Sequence, residues 1–337
     1  MSALILVAAV VACFSLYYYF AKTSDICTCT ARLDGKTAIV TGGNSGIGKQ
    51  TAIALAKRGA RVILACRNKK KGDAVAEEIT AATGNDDVLC MHCDLASLQS
   101  VRHFAQEFCN SEERLDLLIN NAGLLKDHEL TEDGFDVVFS SNYLGHFLLV
   151  NLLMDKLKEG ASSRIINVSS DMYMFANIDW NNLGANTDRT KAYSNSKLCN
   201  VLFTHQLAKV LKGTGVSAFS LHPGCIDSEL KRNWYGWLRT IAPVVTLIFF
   251  KPVEAGMHTP LHCSVAPGLE AHSGKYFKGC KPRWVLPFAR DDVAAKRLWE
   301  ESERMVGLAR KRSFVENVTA QRIVERFAAR KHQEWAM

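Results

Sequence analysis

The chain has 337 residues, of which 48% are hydrophobic and 22% charged, a balance ordinary for one folded α/β domain large enough to bury a sizeable core. Its formal net charge is +7, a sign that suits nucleic acid, anionic lipid headgroups or a multiply phosphorylated cofactor. Basic residues are interleaved with acidic ones along amphipathic stretches and are not gathered with aromatics on one element, which argues against a nucleic-acid partner.

The first segment is apolar from Ala3 to Phe20, long enough at about 1.5 Å per residue to cross the hydrocarbon core of a bilayer. It lacks the basic start and small-residue exit of a cleaved signal, and Tyr17, Tyr18 and Tyr19 suit an interfacial aromatic belt. The first basic residues, Lys22, Arg32 and Lys36, all follow it, so the body is expected on the cytosolic side. The 11 cysteines are odd in number, and Cys66, Cys199 and Cys225 lie in apolar runs, which fits a reducing compartment. Cys27 and Cys29 would make half of a metal site, but no Cys or His pair at finger-like spacing follows. A juxtamembrane acylation site or an inert linker pair is the expectation there, and no metal is expected.

The expected division is an anchor over residues 1–22, a linker over 23–33, a catalytic domain over 34–308 and a basic tail over 309–337. The domain opens with a β-branched run, Lys36 to Val40, then a glycine-rich turn, then a helical pattern from Lys49 to Arg58. Strand Arg61 to Ala65, helix Lys69 to Thr83 and strand Val88 to His92 follow. Helix Ser97 to Cys109, strand Leu115 to Ile119, a long helix Asp136 to Lys158 and strand Arg164 to Val168 continue the alternation. Such alternation predicts a doubly wound (Rossmann) parallel sheet with helices on both faces.

The turn TGGNSGIG at 41–48 places Gly42, Gly46 and Gly48 between a strand and a helix, where backbone approaches a pyrophosphate closely and a helix N-terminus receives its charge. Strand two ends about 20 residues on, where a carboxylate would bind the ribose diol of NAD. The residues there are Cys66-Arg67. Arg67, helped by Lys49, suits a ribose 2′-phosphate, which makes NADP(H) the expected cofactor. Further on, Tyr193 and Lys197 lie one helical turn apart, so an ammonium is expected near a phenol whose ordinary pKa is about 10, lowering it toward a value useful for proton transfer.

TGGNSGIG, Asp94, NNAG at 120–123, Asn142, NVSS at 167–170 and YSNSK at 193–197 fall in order, and together they resemble the short-chain dehydrogenase/reductase family over roughly residues 34 to 305. The resemblance implies that Ser170 hydrogen-bonds the substrate oxygen, Tyr193 is the acid/base, Lys197 lowers the tyrosine pKa and holds the nicotinamide ribose, and Asn142 orders a water relay to Lys197. Strand alternation lets only one of Ser169 and Ser170 face the site, and the resemblance favours Ser170. The cofactor set it implies is Gly42, Asn44, Ser45, Gly46, Ile47, Gly48, Lys49, Arg67, Asp94, Leu95, Asn121, Ala122, Gly123, Tyr193, Lys197, Pro223 and Gly224. His146 and His222 read as packing or hydrogen-bonded histidines.

GIGKQTA at 46–52, ILACRN at 63–68, LGHFLL at 144–149, KLCNVLF at 197–203, LHPG at 221–224, SGKYF at 273–277 and RLWEES at 297–302 are similar to the microsomal retinol dehydrogenase-like branch. That likeness implies NADP(H), an anchor in the endoplasmic reticulum membrane, and a lipophilic alcohol or carbonyl substrate, retinol and retinal among them. Tyr143 and Asp171 to Asn177 depart from the branch at positions expected to border the substrate pocket. A ketosteroid reductase, or an idle NADP-binding scaffold or redox sensor on the same fold, stands as the alternative. Residues 237–250 form an apolar stretch too short to span a membrane; the resemblance implies that this region covers the substrate, and a membrane-dipping lid is favoured over a plain buried helix, while the tail, with seven basic residues between Arg310 and Lys331, is expected either to lie on an anionic membrane surface or to stay solvated. The expected partners are a lipophilic small molecule and membrane lipid, with a homo-oligomer left open.

Overall fold

The computed structural model describes residues 26–160, 162–185, 188–224, 226 and 252–308. Eight strands form one sheet: β1 (Thr37–Thr41), β2 (Arg61–Cys66), β3 (Val88–His92), β4 (Leu117–Asn120), β5 (Arg164–Val168), β6 (Ser217–His222), β7 (Tyr276–Lys278) and β8 (Lys281–Arg283). Their spatial order is β3-β2-β1-β4-β5-β6-β7-β8, parallel throughout until β8 turns back antiparallel to β7. Order reverses between β1 and β4, the switch point at which such sheets leave a crevice beyond the strand C-termini.

All five residues of β1 are buried, as a strand covered by helices on both faces requires. Alternation splits them: Ile39 joins Ile63, Leu118 and Ile165 in one core, while Ala38 and Val40 join Val62, Leu64 and Ile119 in the other. The flanking helices include α1 (Gly46–Ala56), α2 (Lys69–Thr83) and α3 (Leu98–Ser111). Asn68 and Ser97 cap the second and third through their side chains, and Gly84 ends α2 in the left-handed conformation.

One local reading changes. The long helix expected from Asp136 to Lys158 is broken into α4 (Val137–Phe139), a π-helical turn Ser140–Leu144, α5 (Gly145–Leu152) and α6 (Met154–Glu159). Gly145 lies against the loop after β3, where an added Cβ would come within 2.4 Å of the Leu95 carbonyl oxygen, and the wide turn gives that close approach room. The β7–β8 hairpin carries no alternating pattern, because three-residue strands are too short to show one. Pro282 is tolerated because β8 is the sheet edge.

The expected anchor, the lid at 237–250 and the tail lie outside the described residues, as does Cys225. Among the described residues no helix is long and apolar enough to cross a membrane. The part of the linker that is described packs on the domain: Cys27 and Leu33 are buried, and Leu33 N donates to Arg58 O at 2.8 Å. Burial of Cys27 leaves Cys29, half-buried, as the more accessible of the two thiols.

Candidate active site

The strand C-termini open into a cleft of about 820 Å³ that runs from Arg67 and Asn68 at one end to Ser170, Tyr193 and His222 at the other. At its floor Gly42 has φ 63°, and an added Cβ would meet Ala122 Cα at 3.1 Å. Gly48 admits no Cβ either, since one would fall 2.4 Å from Asn121 Nδ2 and 2.5 Å from Gly42 O. Asn121 ties the two strand ends together: its Nδ2 donates to Thr41 O at 2.9 Å, and its amide donates to Thr41 Oγ1 at 2.9 Å. Ser45 stands at the N-cap of α1 with no side-chain cap and no acidic residue in the first turn. That terminus therefore presents unpaired amides and the positive end of a helix dipole to the cleft, the arrangement a pyrophosphate requires.

Arg67 lines the cleft at the end of β2, with Lys71 and Asn68 beside it. The nearest carboxylate on α2, Asp73, is held by Lys69 at 2.8 Å. Lys49 departs from its expected place: its Nζ lies 2.6 and 2.7 Å from the two carboxylate oxygens of Glu78, and it does not line the cleft. Lys71 was hidden from sequence reading because its approach depends on α2 folding back over β2. Asp94, Leu95, Ala122, Gly123, Pro223 and Gly224 all line the cleft.

The far end is built from β5, the loop after it and helix α7 (Arg189–Val210). Ser169 and Ser170 diverge as alternation demands. Ser169 is buried and its Oγ donates to Lys197 O at 2.7 Å, whereas Ser170 Oγ accepts from Met172 N at 3.3 Å and lines the cleft together with Tyr193. Burial pushes the Tyr193 phenol up to about 12, with the neighbouring Ser170 hydroxyl opposing it. Burial also pulls the Lys197 ammonium down to about 8. The expected lowering of the tyrosine by Lys197 is therefore not what the structure shows: burial raises the phenol, and the opposing influence comes from Ser170. Lys197 Nζ donates to Val168 O at 3.0 Å.

Asn142 is fully buried behind this group, in the π-helical turn. Its Oδ1 accepts from Leu124 N at 2.7 Å, and its Nδ2 donates to Leu124 O and Ser196 Oγ, both at 3.0 Å. The side chain thus fastens the end of the NNAG loop to the helix carrying Tyr193, and Gly123 passes between it and Lys197: an added Cβ would lie 3.3 Å from Lys197 Nζ and 3.5 Å from Asn142 Oδ1. His146 is buried between Asn142 O at 3.2 Å and Thr41 Oγ1 at 2.8 Å, and burial holds it down at about 3.

Tyr143 does not border the cleft. It is fully buried against Phe139, Phe147 and Phe203, with its hydroxyl 2.7 Å from Ser302 Oγ. Asp171 does touch the site, through residues that sequence reading did not connect: Tyr276 OH donates to it at 2.9 Å, Lys278 Nζ at 2.6 Å, and His222 Nε2 lies 3.7 Å away. Burial opposes its ionisation, but His222, Lys278 and Tyr276 together hold it below the usual carboxylate range.

A doubly wound sheet, a glycine turn feeding an uncapped helix, and a serine, tyrosine and lysine meeting at the far end of one cleft define an oxidoreductase that uses a nicotinamide dinucleotide. Residues 36–239 match the short chain dehydrogenase family, and the chain belongs to the short-chain dehydrogenase/reductase family. It is 46% identical over 294 residues to retinol dehydrogenase 11 of Homo sapiens, an alignment covering 85% of this chain and 90% of that one. Retinol dehydrogenase 13 of Homo sapiens is 47% identical over 295 residues, covering 85% and 89%. Among solved structures, a protein of Mycobacterium Paratuberculosis superposes with a TM-score of 0.66 at 31% identity, covering 82% of this chain and 95% of that one. The Pseudomonas aeruginosa RhlG/NADP active-site complex superposes with a TM-score of 0.51 at 26% identity, covering 67% and 98%.

Proposed function

We propose that this protein is an NADP(H)-dependent oxidoreductase that interconverts a lipophilic alcohol and its aldehyde or ketone, with retinol and retinal as the first pair to test. The observation that carries the reading is the meeting of Ser170, Tyr193 and Lys197 at one end of a cleft whose other end is lined by Arg67 and Lys71, where β2 ends without a carboxylate. Similarity to proteins named retinol dehydrogenase supports the substrate class. The apolar segment Ala3 to Phe20 supports a membrane anchor, and the basic residues after it a cytosolic face, with the endoplasmic reticulum as the proposed membrane.

When bound, the nicotinamide supplies a hydride to the carbonyl carbon, leaving charge on its oxygen. Tyr193 gives its proton to that oxygen, and Ser170 steadies the oxygen by a hydrogen bond. A phenol held near 12 stays neutral at physiological pH, the form a proton donor needs. Lys197 keeps a cation beside the ring, which stabilises the phenolate left after transfer. Asn142 positions both through Leu124 and Ser196. Arg67 and Lys71 hold the 2′-phosphate, and the α1 N-terminus the pyrophosphate.

Full-length protein in detergent should consume NADPH when given retinal or another long-chain aldehyde. Retained NADPH binding without turnover of any retinal, lipid aldehyde or ketosteroid would favour an idle scaffold, and turnover of ketosteroids alone would move the substrate class.

A further inference from the structure

The described chain begins at Ile26, and its first residues lie against the helix α8 (His258–Val265) on the side of the sheet away from Tyr193. Cys27 is buried, and its amide donates to His258 Nδ1 at 3.4 Å. Cys29 Sγ stands 4.0 Å from His262 Nδ1, a pairing across 233 positions of sequence. One ligand atom from each of Cys27, Cys29 and His262 lies within 4.8 Å of the others. Arg58 Nη2 donates to Cys29 O at 2.9 Å and fixes the loop that carries both thiols. None of these residues lines the cleft, and the chemistry proposed above uses none of them.

We propose that Cys27, Cys29 and His262 form a zinc site that clamps the N-terminal approach of the chain onto the catalytic domain. Zinc takes thiolate and imidazole ligands tetrahedrally at about 2.3 and 2.1 Å, which sets neighbouring ligand atoms roughly 3.5–3.8 Å apart. The 4.0 Å between Cys29 Sγ and His262 Nδ1 is within a few tenths of an ångström of that spacing, and the pairs involving Cys27 lie within 4.8 Å, so closure needs side-chain rotations that draw the ligand atoms in by about 1 Å at most. Two thiolates and one imidazole select a borderline-soft cation over magnesium or calcium, which take oxygen ligands. Binding expels one proton from each thiol to solvent, the two thiolate charges neutralise the dication, and water completes the fourth position. No oxidant or reductant takes part. His258, one turn before His262, has its Nδ1 engaged by the Cys27 amide and so orients the first ligand from outside the site.

The test uses full-length protein purified in detergent under reducing conditions without chelator. Plasma mass spectrometry should find about one zinc per chain. Cobalt(II) exchanged into the protein should show thiolate-to-cobalt charge transfer and the intense visible bands of a tetrahedral ion. Cys29→Ser and His262→Gln should each weaken zinc binding by roughly 10- to 100-fold or more in competition with a chromogenic chelator, while NADPH binding, as a folding control, stays intact. Lack of thiolate charge transfer in the cobalt-loaded wild-type protein would overturn the proposal whether or not the variants fold. So would unchanged zinc affinity in both variants, or a Cys27–Cys29 disulfide in place of the metal in freshly isolated protein.

Discussion

Lys197 Nζ sits 5.4 Å from the centre of the Tyr193 ring and hydrogen-bonds Val168 O at 3.0 Å, so the cation is held beside the phenol by backbone. It is also 3% exposed, and burial lowers its folded pKa from 10.5 to about 8. The unfolded chain therefore binds more protons than the folded one between pH 8 and 10.5, and stability rises with pH across that window. Below pH 8 the whole cost of burying the cation is present, on the order of 3 kcal/mol.

Lys197→Met should accordingly stabilise the protein lacking cofactor by about 1–2 kcal/mol near pH 7, after loss of the hydrogen bond to Val168 O, while abolishing turnover. Thermal melts at pH 7 and above pH 10 check it, since the advantage should shrink at the higher pH. A variant less stable than wild type at pH 7 would show that the hydrogen bond outweighs the burial of charge.

Tyr193→Phe keeps the ring but removes the proton, so carbonyl reduction should fall by roughly 10²- to 10⁴-fold with NADPH binding little changed. The wild-type profile has two arms. Reduction needs Tyr193 neutral and Lys197 charged, so it should be flat at and below pH 7 and decline as Lys197 loses its proton above about 8. Alcohol oxidation needs the phenolate and should climb with pH toward the tyrosine's value near 12. Steady-state rates in both directions measure this, and an oxidation rate that is already flat at pH 7 would mean the tyrosine ionises far lower.

Elements set by local pattern were legible in the sequence. Helix Lys69–Thr83 and strands Val88–His92 and Arg164–Val168 have the bounds their periodicity predicts. Period-two alternation likewise separates Ser170 from Ser169. What stayed hidden depends on partners distant in sequence. The π-helical turn at Asn142 answers to Leu95, 45 residues or more away, and Lys49 is drawn off by Glu78. Tyr143 is buried by rings from the same helical region and from α7, where sequence likeness alone placed it at the pocket.

His146 supplies an acid-limb prediction. The carbonyl of Asn142 can only accept, so Nδ1 carries the proton and Nε2 accepts from the Thr41 hydroxyl. A second proton on Nε2 would break that bond and place a charge in a fully buried site, consistent with a value near 3. Because the folded pKa lies below the ordinary 6.5, the contribution is complete above pH 6.5 and is lost as pH falls toward 3. Wild-type melting temperature should drop steeply over that window, and His146→Gln should flatten the drop at lower overall stability. Parallel acid limbs in the two proteins would show that other groups govern acid unfolding.

Removing residues 1–22 should release most of the protein from membranes, read as the fraction left in the supernatant after carbonate extraction. Intact chain that is already extracted by carbonate would refute the anchor.

Cofactor choice separates the two lysines near the glycine turn. With no carboxylate at the end of β2 and with Arg67 and Lys71 lining the cleft there, NADPH should bind better than NADH by about 10- to 1,000-fold, on the order of 1.4 to 4 kcal/mol. Arg67→Asp should collapse or invert that ratio, because it removes the fork that grips a 2′-phosphate and supplies an acceptor for a ribose diol. Lys71→Ala should weaken NADPH by about tenfold and leave NADH nearly unchanged, as expected for a second contact to the phosphate alone. Lys49→Ala should change neither, since its ammonium is engaged by both oxygens of Glu78 and does not reach the cleft. Fluorescence titration of the three variants with both cofactors decides the matter. A large loss of NADPH affinity in Lys49→Ala with none in Lys71→Ala would mean that the Lys49–Glu78 pair opens on binding and that the phosphate sits on the turn instead of on α2.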